Sequence, residues 1–485
     1  MQRINAGTSA PLFDIAASRR IEHAAAAALP PHTLMQRAGL AVARLAMATA
    51  PHARTIWIAC GPGNNGGDGL EAAAQLQYRG FAPVVTHIGN DHLPPDAAAS
   101  LQRARDAGVR FEDVPPAHAD LVVDALLGLG AARAPEGPMA DWLRRMHAGP
   151  APVLSVDTPS GLNADTGVLA LDFLAPATAP AAPVRRLCLS LLTLKPGLFT
   201  AQGRDAGGEL WFDDLGSMPS AERPAARLPG APFAMPRPHT SHKGSYGDVA
   251  VIGGAPGMAG AVLLAATAAL HAGAGRVYVG PLDPALAPLD TAQPELMFRA
   301  PDALDLFALT VVCGCGGGMA VRGPLPRVLQ EARALVLDAD ALNAIAADGA
   351  FQTLLVARAR SGRPTVLTPH PLEAARLLAT GTAEVQADRL HAAQQLAERF
   401  GATVVLKGSG TIVAAAGEVP AINPIGNPRL ATAGTGDVLA GMIGAALAAG
   451  RSPMAASCEA VWRHGDLADR WPHGVPLTAG SLARG

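Results

Sequence analysis

Residues 55–80, TIWIACGPGNNGGDGLEAAAQLQYRG, decide the fold of the first half of this chain. An apolar run (56–60) enters a glycine-rich turn, and an alanine-rich helical pattern follows. A strand, a glycine loop and a helix in that order are the opening move of a parallel α/β sheet. The glycines let backbone amides approach a ligand, and the helix N-terminus beyond them favours anions. The register is not G-x-G-x-x-G, because Gly61, Gly63 and Gly66 fit it only loosely. Asn64, Asn65 and Asp68 are the unusual part: three polar side chains crowd one strand end.

The surrounding sequence repeats this logic. A helical pattern precedes the stretch, through about residue 49. PVVTHIG (83–89), ADLVVDALLGLG (119–130), PVLSVDTPSG (152–161) and RLCLSLLT (186–193) read as buried strands, most with polar residues at their ends. Apolar strands alternating with helices predict a Rossmann-like parallel sheet covered on both faces, with ligands bound outside the carboxyl ends of the strands. Residues 213–238 are rich in Pro and Ala and lack regular apolar spacing, so they contain the boundary, with a linker at 221–236 between domains at 1–220 and 237–485. Beyond it, GDVAVIGG (247–254), LTVVCGCGGG (309–318), ALVLDADALN (334–343), PTVLTPHPLEAARLL (364–378) and ATVVLKGSGTIVAAAG (402–417) supply further strand ends. AGAVLLAATAALHAG (259–273) reads as a buried helix, and ATAGTGDVLAGMIGAALAAG (431–450) as a glycine loop feeding another. This predicts a second three-layer αβα domain.

Composition narrows the function. At 485 residues with 49% hydrophobic and 16% charged residues, the chain is globular. Net charge is −2 and aromatics are 4%, which disfavours nucleic-acid binding. The longest apolar runs fall short of a membrane span, and the N-terminus lacks the apolar core of a signal peptide, so a cytoplasmic protein is expected. An odd set of cysteines (Cys60, Cys188, Cys313, Cys315, Cys458) gives no disulfide framework. Cys313-x-Cys315 has no second pair to complete a zinc site. Of 38 basic residues only Lys195, Lys243 and Lys407 are lysine. Where arginine is the default cation, a lysine can mark a place that needs a compact ammonium. Lys243 and Lys407 stand beside glycines at strand edges and suit phosphate. For Lys195 chance is an equal reading.

Asp124 and Asp157 end strands, and Ser160 follows in DTPSG. Taken singly, such carboxylates are more often turn formers than catalysts. Together Asn65, Asp124 and Ser160 offer only oxygen, which suits a hard cation. In the second half, AGTGD (433–437) presents glycine amides and a helix dipole to phosphoryl charge, with Asp437 placed to take a proton from a hydroxyl. A helix cap is the plain alternative for Asp437, but KGSGT (407–411) on another strand end favours catalysis.

These residues carry a resemblance. GPGNNGGDG, LVVDALLGLG and SVDTPSGLNADTG, with LMQRAG (34–39) and TLKPGLFTAQGRDAGGELWFDDLG (193–216), resemble the NAD(P)H-hydrate epimerase domain over about residues 1–220. The resemblance implies interconversion of the R and S hydrates of NADH and NADPH. It implies K⁺ on Asn65, Asp124 and Ser160, and hydrate on Asn64, Asn65, Gly66, Gly67, Asp68, on Gly128, Leu129, Gly130, Ala131, Ala132, Arg133, Ala134, and on Asp157. Asp157 is the candidate acid/base. SHKGSYGDVAVIGGAPGMAGA (241–261), LDADALN, LTPHPLEAARLL, LKGSGT and GNPRLATAGTGDVLAG (426–441) resemble the ribokinase-like, ADP-dependent NAD(P)H-hydrate dehydratase over about residues 237–485. This implies hydrate contacts from Ala261, Gly318, His370 and Asp437, the last catalytic. It implies nucleotide contacts from Lys407, Gly408, Ser409, Gly410, Thr411 and Gly436, with ADP as co-substrate and Mg²⁺ on its phosphates. Where that family usually has G-P-G-L-G, this chain has Gly314-Cys315-Gly316-Gly317-Gly318, and Pro371-Leu372-Glu373 replaces P-G-E. Arg429, Leu430 and Ala433 also depart from its pattern. Two other readings compete: a ribokinase-like vitamin kinase with a regulatory N-terminal half, and a non-catalytic binding scaffold. The expected partners are small molecules, with a homo-oligomer left open.

Overall fold

The computed structural model describes residues 1–89, 93–129, 134–171, 173–174, 184–217, 221–233 and 238–485. They divide into two units, Met1–Asn5 with Ala10–Ala226, and Ala6–Ser9 with Arg227–Gly485.

The first unit opens with helices α1 (Ile15–Ala27) and α2 (Thr33–Thr49). The alternation follows: β1 (Ile56–Cys60), α3 (Asn64–Tyr78), β2 (Pro83–His87), α4 (Pro95–Asp106), β3 (Leu121–Ala125), β4 (Val153–Val156), β5 (Arg186–Leu191) and β6 (Glu209–Asp213). The sheet order is Gln2–Arg3, β6, β5, β4, β3, β1, β2, Arg110–Phe111. All these pairings are parallel except that of Gln2–Arg3 with β6. Every residue of β1 and β3 is buried, as continuous apolar runs require when helices cover both faces. Each such Ile, Leu or Val contributes about 1.5–3 kcal/mol by leaving water. Strand order reverses between β1 and β3, which opens a crevice beyond their carboxyl ends.

One local expectation changes here. Residues 61–69 read as a loop, but α3 begins at Asn64, straight after an extended Gly63 (φ −108°, ψ −168°). Asn64, Asn65 and Asp68 therefore stand on the first turns of a helix. Gly66 is required by packing: a Cβ there would lie 1.9 Å from the Gly61 carbonyl oxygen.

In the second unit the strands are β7 (Ala226–Pro229), β8 (Asp248–Gly253), β9 (Arg276–Pro281), β10 (Thr310–Cys313), β11 (Ala334–Leu337), β12 (Thr365–Leu367), β13 (Thr403–Leu406), β14 (Ile412–Ala414) and β15 (Ala421–Ile422). Their order is Met297–Phe298, β9, β8, β10, β11, β12, β13, β14, β15, β7. The run from β9 to β13 is parallel, while β14 folds back antiparallel on β13 and on β15. Residues 407–411 are thus the tip of a hairpin. Strand β7 lies inside the stretch read as linker. Its Ala226 and Leu228 are buried, and Arg227 pairs parallel with Ala421 of β15, so that part of the linker is sheet. Residues Ala6–Ser9 also group with this unit, and the Trp462 indole donates to the Ala6 carbonyl at 2.9 Å. Helices α5 (Ala259–His271) and α7 (Thr435–Ala448) pack closely, because Gly441 brings the two backbones together. A Cβ there would stand 2.0 Å from the Ala265 carbonyl oxygen.

Candidate active sites

In the first unit the crevice is a cavity of about 420 Å³. Asn64, Asn65 and Asp68 of α3 line it, as do Gly128 and Leu129 after β3, and Asp157 after β4. Gly66, Gly67 and Ala134 are not among its lining residues. Gly130, Ala131, Ala132 and Arg133 lie outside the described residues.

Asn65, Asp124 and Ser160 converge around the backbone of Leu127. The Ser160 amide and hydroxyl donate to the two carboxylate oxygens of Asp124 at 2.9 and 2.6 Å. The Leu127 amide donates to Ser160 Oγ at 2.8 Å, and Asn65 Nδ2 donates to the Leu127 carbonyl at 3.0 Å. Asp124 is wholly buried, and burial raises its pKa against the bonds from Ser160. A single desolvated carboxylate among neutral oxygens is short of one positive charge, so the donor set fits a monovalent cation.

Asp157 holds a left-handed backbone (φ 64°), a strained conformation for a residue with a Cβ and one found disproportionately at functional sites. The Leu191 amide donates to its Oδ1 at 3.1 Å, and Lys195 Nζ bonds the same oxygen. Lys195 is 1% exposed and also donates to the Leu191 carbonyl at 2.9 Å and to Ser190 Oγ at 3.3 Å. Glu22 of α1 lines the same cavity. Burial, then Asp157, pushes the Glu22 pKa up, against Lys195 and Asn64. Burial and the charges of Asp157 and Glu22 also raise Asp68 well above the usual carboxylate range. Both shifts favour the protonated carboxyl of Glu22 and Asp68, the direction a proton donor needs. Sequence reasoning left Lys195 undecided and missed Glu22. The scarcity of lysine was a signal for the first; nothing in the helical pattern of α1 marks the second.

In the second unit Gly434 (φ 89°) turns the chain into α7, so Asp437 sits in the helix's first turn rather than at its cap. Burial, then Asp338, raises its pKa to about 7. Lys407 Nζ pairs with Asp338 Oδ1 at 2.7 Å and lies 4.0 Å from Glu373 Oε2. Burial pulls this ammonium's pKa down, but Asp338 and Glu373 carry it above its ordinary value. A Cβ on Gly436 would stand 3.3 Å from Lys407 Nζ, which places the ammonium at the N-terminus of α7. The hairpin tip behind it is held by buried Arg389, whose guanidinium donates to the Leu406 and Lys407 carbonyls at 3.3 and 3.2 Å and packs on Gly408. Thr411 Oγ1 closes the tip on the Gly408 carbonyl at 3.2 Å.

His370 caps helix α6 (Pro371–Leu378). Its Nδ1 accepts from the Leu372 and Glu373 amides at 3.1 and 3.2 Å, and Glu373 Oε2 accepts from the His370 amide at 2.8 Å. Burial and Lys407 lower the His370 pKa, so the ring is neutral near pH 7 with its proton on Nε2, 3.2 Å from Glu373 Oε1. Gly314 (φ 120°), Gly316 (φ 57°) and Gly318 (φ 49°) shape the loop after β10. Gly316 abuts Ala261 at the start of α5, and the Gly318 amide donates to Asp340 Oδ2 at 2.8 Å. Lys243 stands exposed on the Lys243–Tyr246 turn. Asp338, Glu373 and Arg389 were given no site role from the sequence; each acts through a partner that is remote in the chain.

The chain is similar to the bifunctional NAD(P)H-hydrate repair enzyme Nnr of Escherichia coli (strain K12), 38% identical over 458 residues that cover 90% of this chain and 85% of that protein. It belongs to the family of bifunctional NAD(P)H-hydrate repair enzymes. Two family models divide it: YjeF-related protein N-terminus matches residues 31–197, and NAD(P)H-hydrate dehydratase matches residues 249–482. The ADP-dependent (S)-NAD(P)H-hydrate dehydratase of Neisseria meningitidis serogroup B is 44% identical over 254 residues, 51% of this chain and 84% of that protein. A solved ADP/ATP-dependent NAD(P)H-hydrate dehydratase from Bacillus subtilis is 29% identical over 51% of this chain and 90% of its own, with a TM-score of 0.43. Among the described residues no helix is long and apolar enough to cross a membrane.

Proposed function

We propose that this chain repairs hydrated NADH and NADPH in two steps, one in each unit. The first unit epimerises the R and S hydrates, and the second dehydrates the S form with ADP, yielding AMP and phosphate. The observation that carries the reading is that Lys407, paired with Asp338, and Asp437 both stand at the N-terminus of α7: an ammonium for phosphate near a carboxylate whose pKa of about 7 suits a base. A vitamin kinase would share that mouth, but membership in the repair family favours the hydrate.

In the first unit the substrate carries a hydroxyl on C6 of the ring, next to the ring nitrogen. The nitrogen lone pair expels that hydroxyl as water when an acid supplies the proton, and water returning on the other face inverts C6. Asp157, fixed by Lys195 and the Leu191 amide, is positioned to give and take that proton. K⁺ would be held by Asn65, Asp124 and Ser160, where it would balance the buried carboxylate and shape the loop at Leu127.

In the second unit Asp437 takes the proton of the C6 hydroxyl as its oxygen attacks the terminal phosphorus of ADP. Lys407 and the α7 amides receive the phosphoryl charge. Phosphate then leaves C6 with its oxygen, pushed by the ring nitrogen, and loss of a C5 proton restores the dihydronicotinamide. Mg²⁺ would ride on the nucleotide phosphates, with Asp338 and Glu373 the buried carboxylates facing Lys407, and would supply charge neutralisation. Incubation with mixed R and S NADH hydrates, ADP and Mg²⁺, followed by NADH absorbance, tests the whole reading. Full conversion is expected. Consumption of the S form alone would remove the epimerase half.

A further inference from the structure

The loop after β10 carries a thiol, Cys315. Cys315 is wholly buried, and its Sγ faces two carboxylates that come from distant parts of the chain. One is Asp338, after β11, whose Oδ2 lies 4.0 Å from Sγ. The other is Asp437, on α7. The three ligand atoms all lie within 4.8 Å of one another. We propose that Cys315, Asp338 and Asp437 form a binding site for a thiophilic divalent cation of the Zn²⁺ and Cd²⁺ class.

The polar partners of Asp338 leave the required face open. Its Oδ1 takes Lys407 Nζ at 2.7 Å and Thr368 Oγ1 at 2.7 Å. Among the described residues Oδ2 takes only the thiol. A cation on Oδ2 therefore need not evict the ammonium. Ligands of one tetrahedral zinc, at roughly 2.0–2.3 Å from the ion, stand about 3–4 Å apart. Cys315 Sγ and Asp338 Oδ2 need to close by about 0.5 Å, and no pair by more than about 1.5 Å, to meet that geometry. A fourth position is left for water. Charge favours the ion too, since Asp338 and Glu373 share a single ammonium and Asp437 lies close to Asp338. Buried beside two carboxylates, the thiol keeps its proton well above pH 7, so a bound metal must displace that proton into solvent. One soft sulfur selects against Mg²⁺, which wants near-octahedral oxygen. An ion held here would occupy the carboxylate of Asp437.

The test is a titration of the full-length, metal-free chain with Cd²⁺, read by the ultraviolet sulfur-to-cadmium charge-transfer band. One equivalent should give the band, with release of a proton, and Zn²⁺ should displace it. Cys315→Ser should abolish the band. Asp437→Asn and Asp338→Asn should each weaken binding more than about tenfold in chains whose far-ultraviolet spectrum and melting remain native. Absence of the band, or a band that survives in Cys315→Ser and so belongs to another cysteine, would overturn the assignment. So would an affinity unchanged in both Asp variants, or loss of the band to excess Mg²⁺. Should Cys315→Ser not fold, Cys315→Ala and the two Asp variants decide the same question.

Discussion

Replacing Asp437 by Asn separates a base from a helix cap by the sign of its effect on stability. In the folded chain this carboxyl titrates near 7, against 3.8 when unperturbed. The folded state thus holds a proton that the unfolded state has lost between those two values. Stability contributed by the protonated carboxyl is complete below about pH 4 and drains away as pH rises to about 7. At about 1.4 kcal/mol per unit the ceiling is about 4 kcal/mol. Partial exposure and relaxation reduce this to about 1–3 kcal/mol. Asn carries no charge and escapes the loss. The variant's melting temperature should therefore gain on wild type between pH 5 and pH 8 by roughly 2–8 °C, without ligands. A first-turn aspartate that merely complements the helix dipole predicts the reverse, a loss of about 0.3–1 kcal/mol on neutralisation. Dehydration should fall at least 10²-fold, about the smallest contribution typical of a positioned general base, while epimerisation is retained. Wild-type dehydration should rise with pH through about 7 as the base ionises. A variant less stable than wild type at pH 8, or one that still dehydrates, would refute the reasoning.

Lys195→Met should cost the first unit about 3–5 kcal/mol, because it strands Asp157 beside other buried carboxylates. Epimerisation should be lost while dehydration of the pure S hydrate continues; retained epimerisation in a folded variant would make the lysine structural only. Asp124→Ala should lower epimerisation and its response to K⁺ together. Full epimerase activity after replacement of K⁺ by a large organic cation would remove the ion from the account. Lys407→Arg should raise the apparent ADP dissociation constant more than about tenfold, since a planar fork cannot take the place of an ammonium packed between Asp338 and Gly436. An unchanged constant by calorimetry would leave phosphate to the loop backbone.

The sequence by itself determined the two α/β units and most of their strands, because runs such as Ile56–Cys60 and residues 121–123 are apolar at every position, as a doubly covered sheet requires. It also determined where chemistry could sit, since Asn65, Asp124, Asp157 and Asp437 are polar groups at the ends of buried elements. It misjudged the start of α3, where glycines that look like loop are packing contacts. It also misjudged part of the linker, where Ala226 and Leu228 hide a strand only four residues long. Only the tertiary structure decided what each site residue faces. Lys195 became a site residue when its strand end met Asp157, Glu22 when α1 folded over the crevice, and Cys315 when Asp338 and Asp437 arrived from elsewhere in the chain. Burial and the charge of a neighbour set the protonation of these groups, and both are properties of distance in space, which local sequence spacing does not encode.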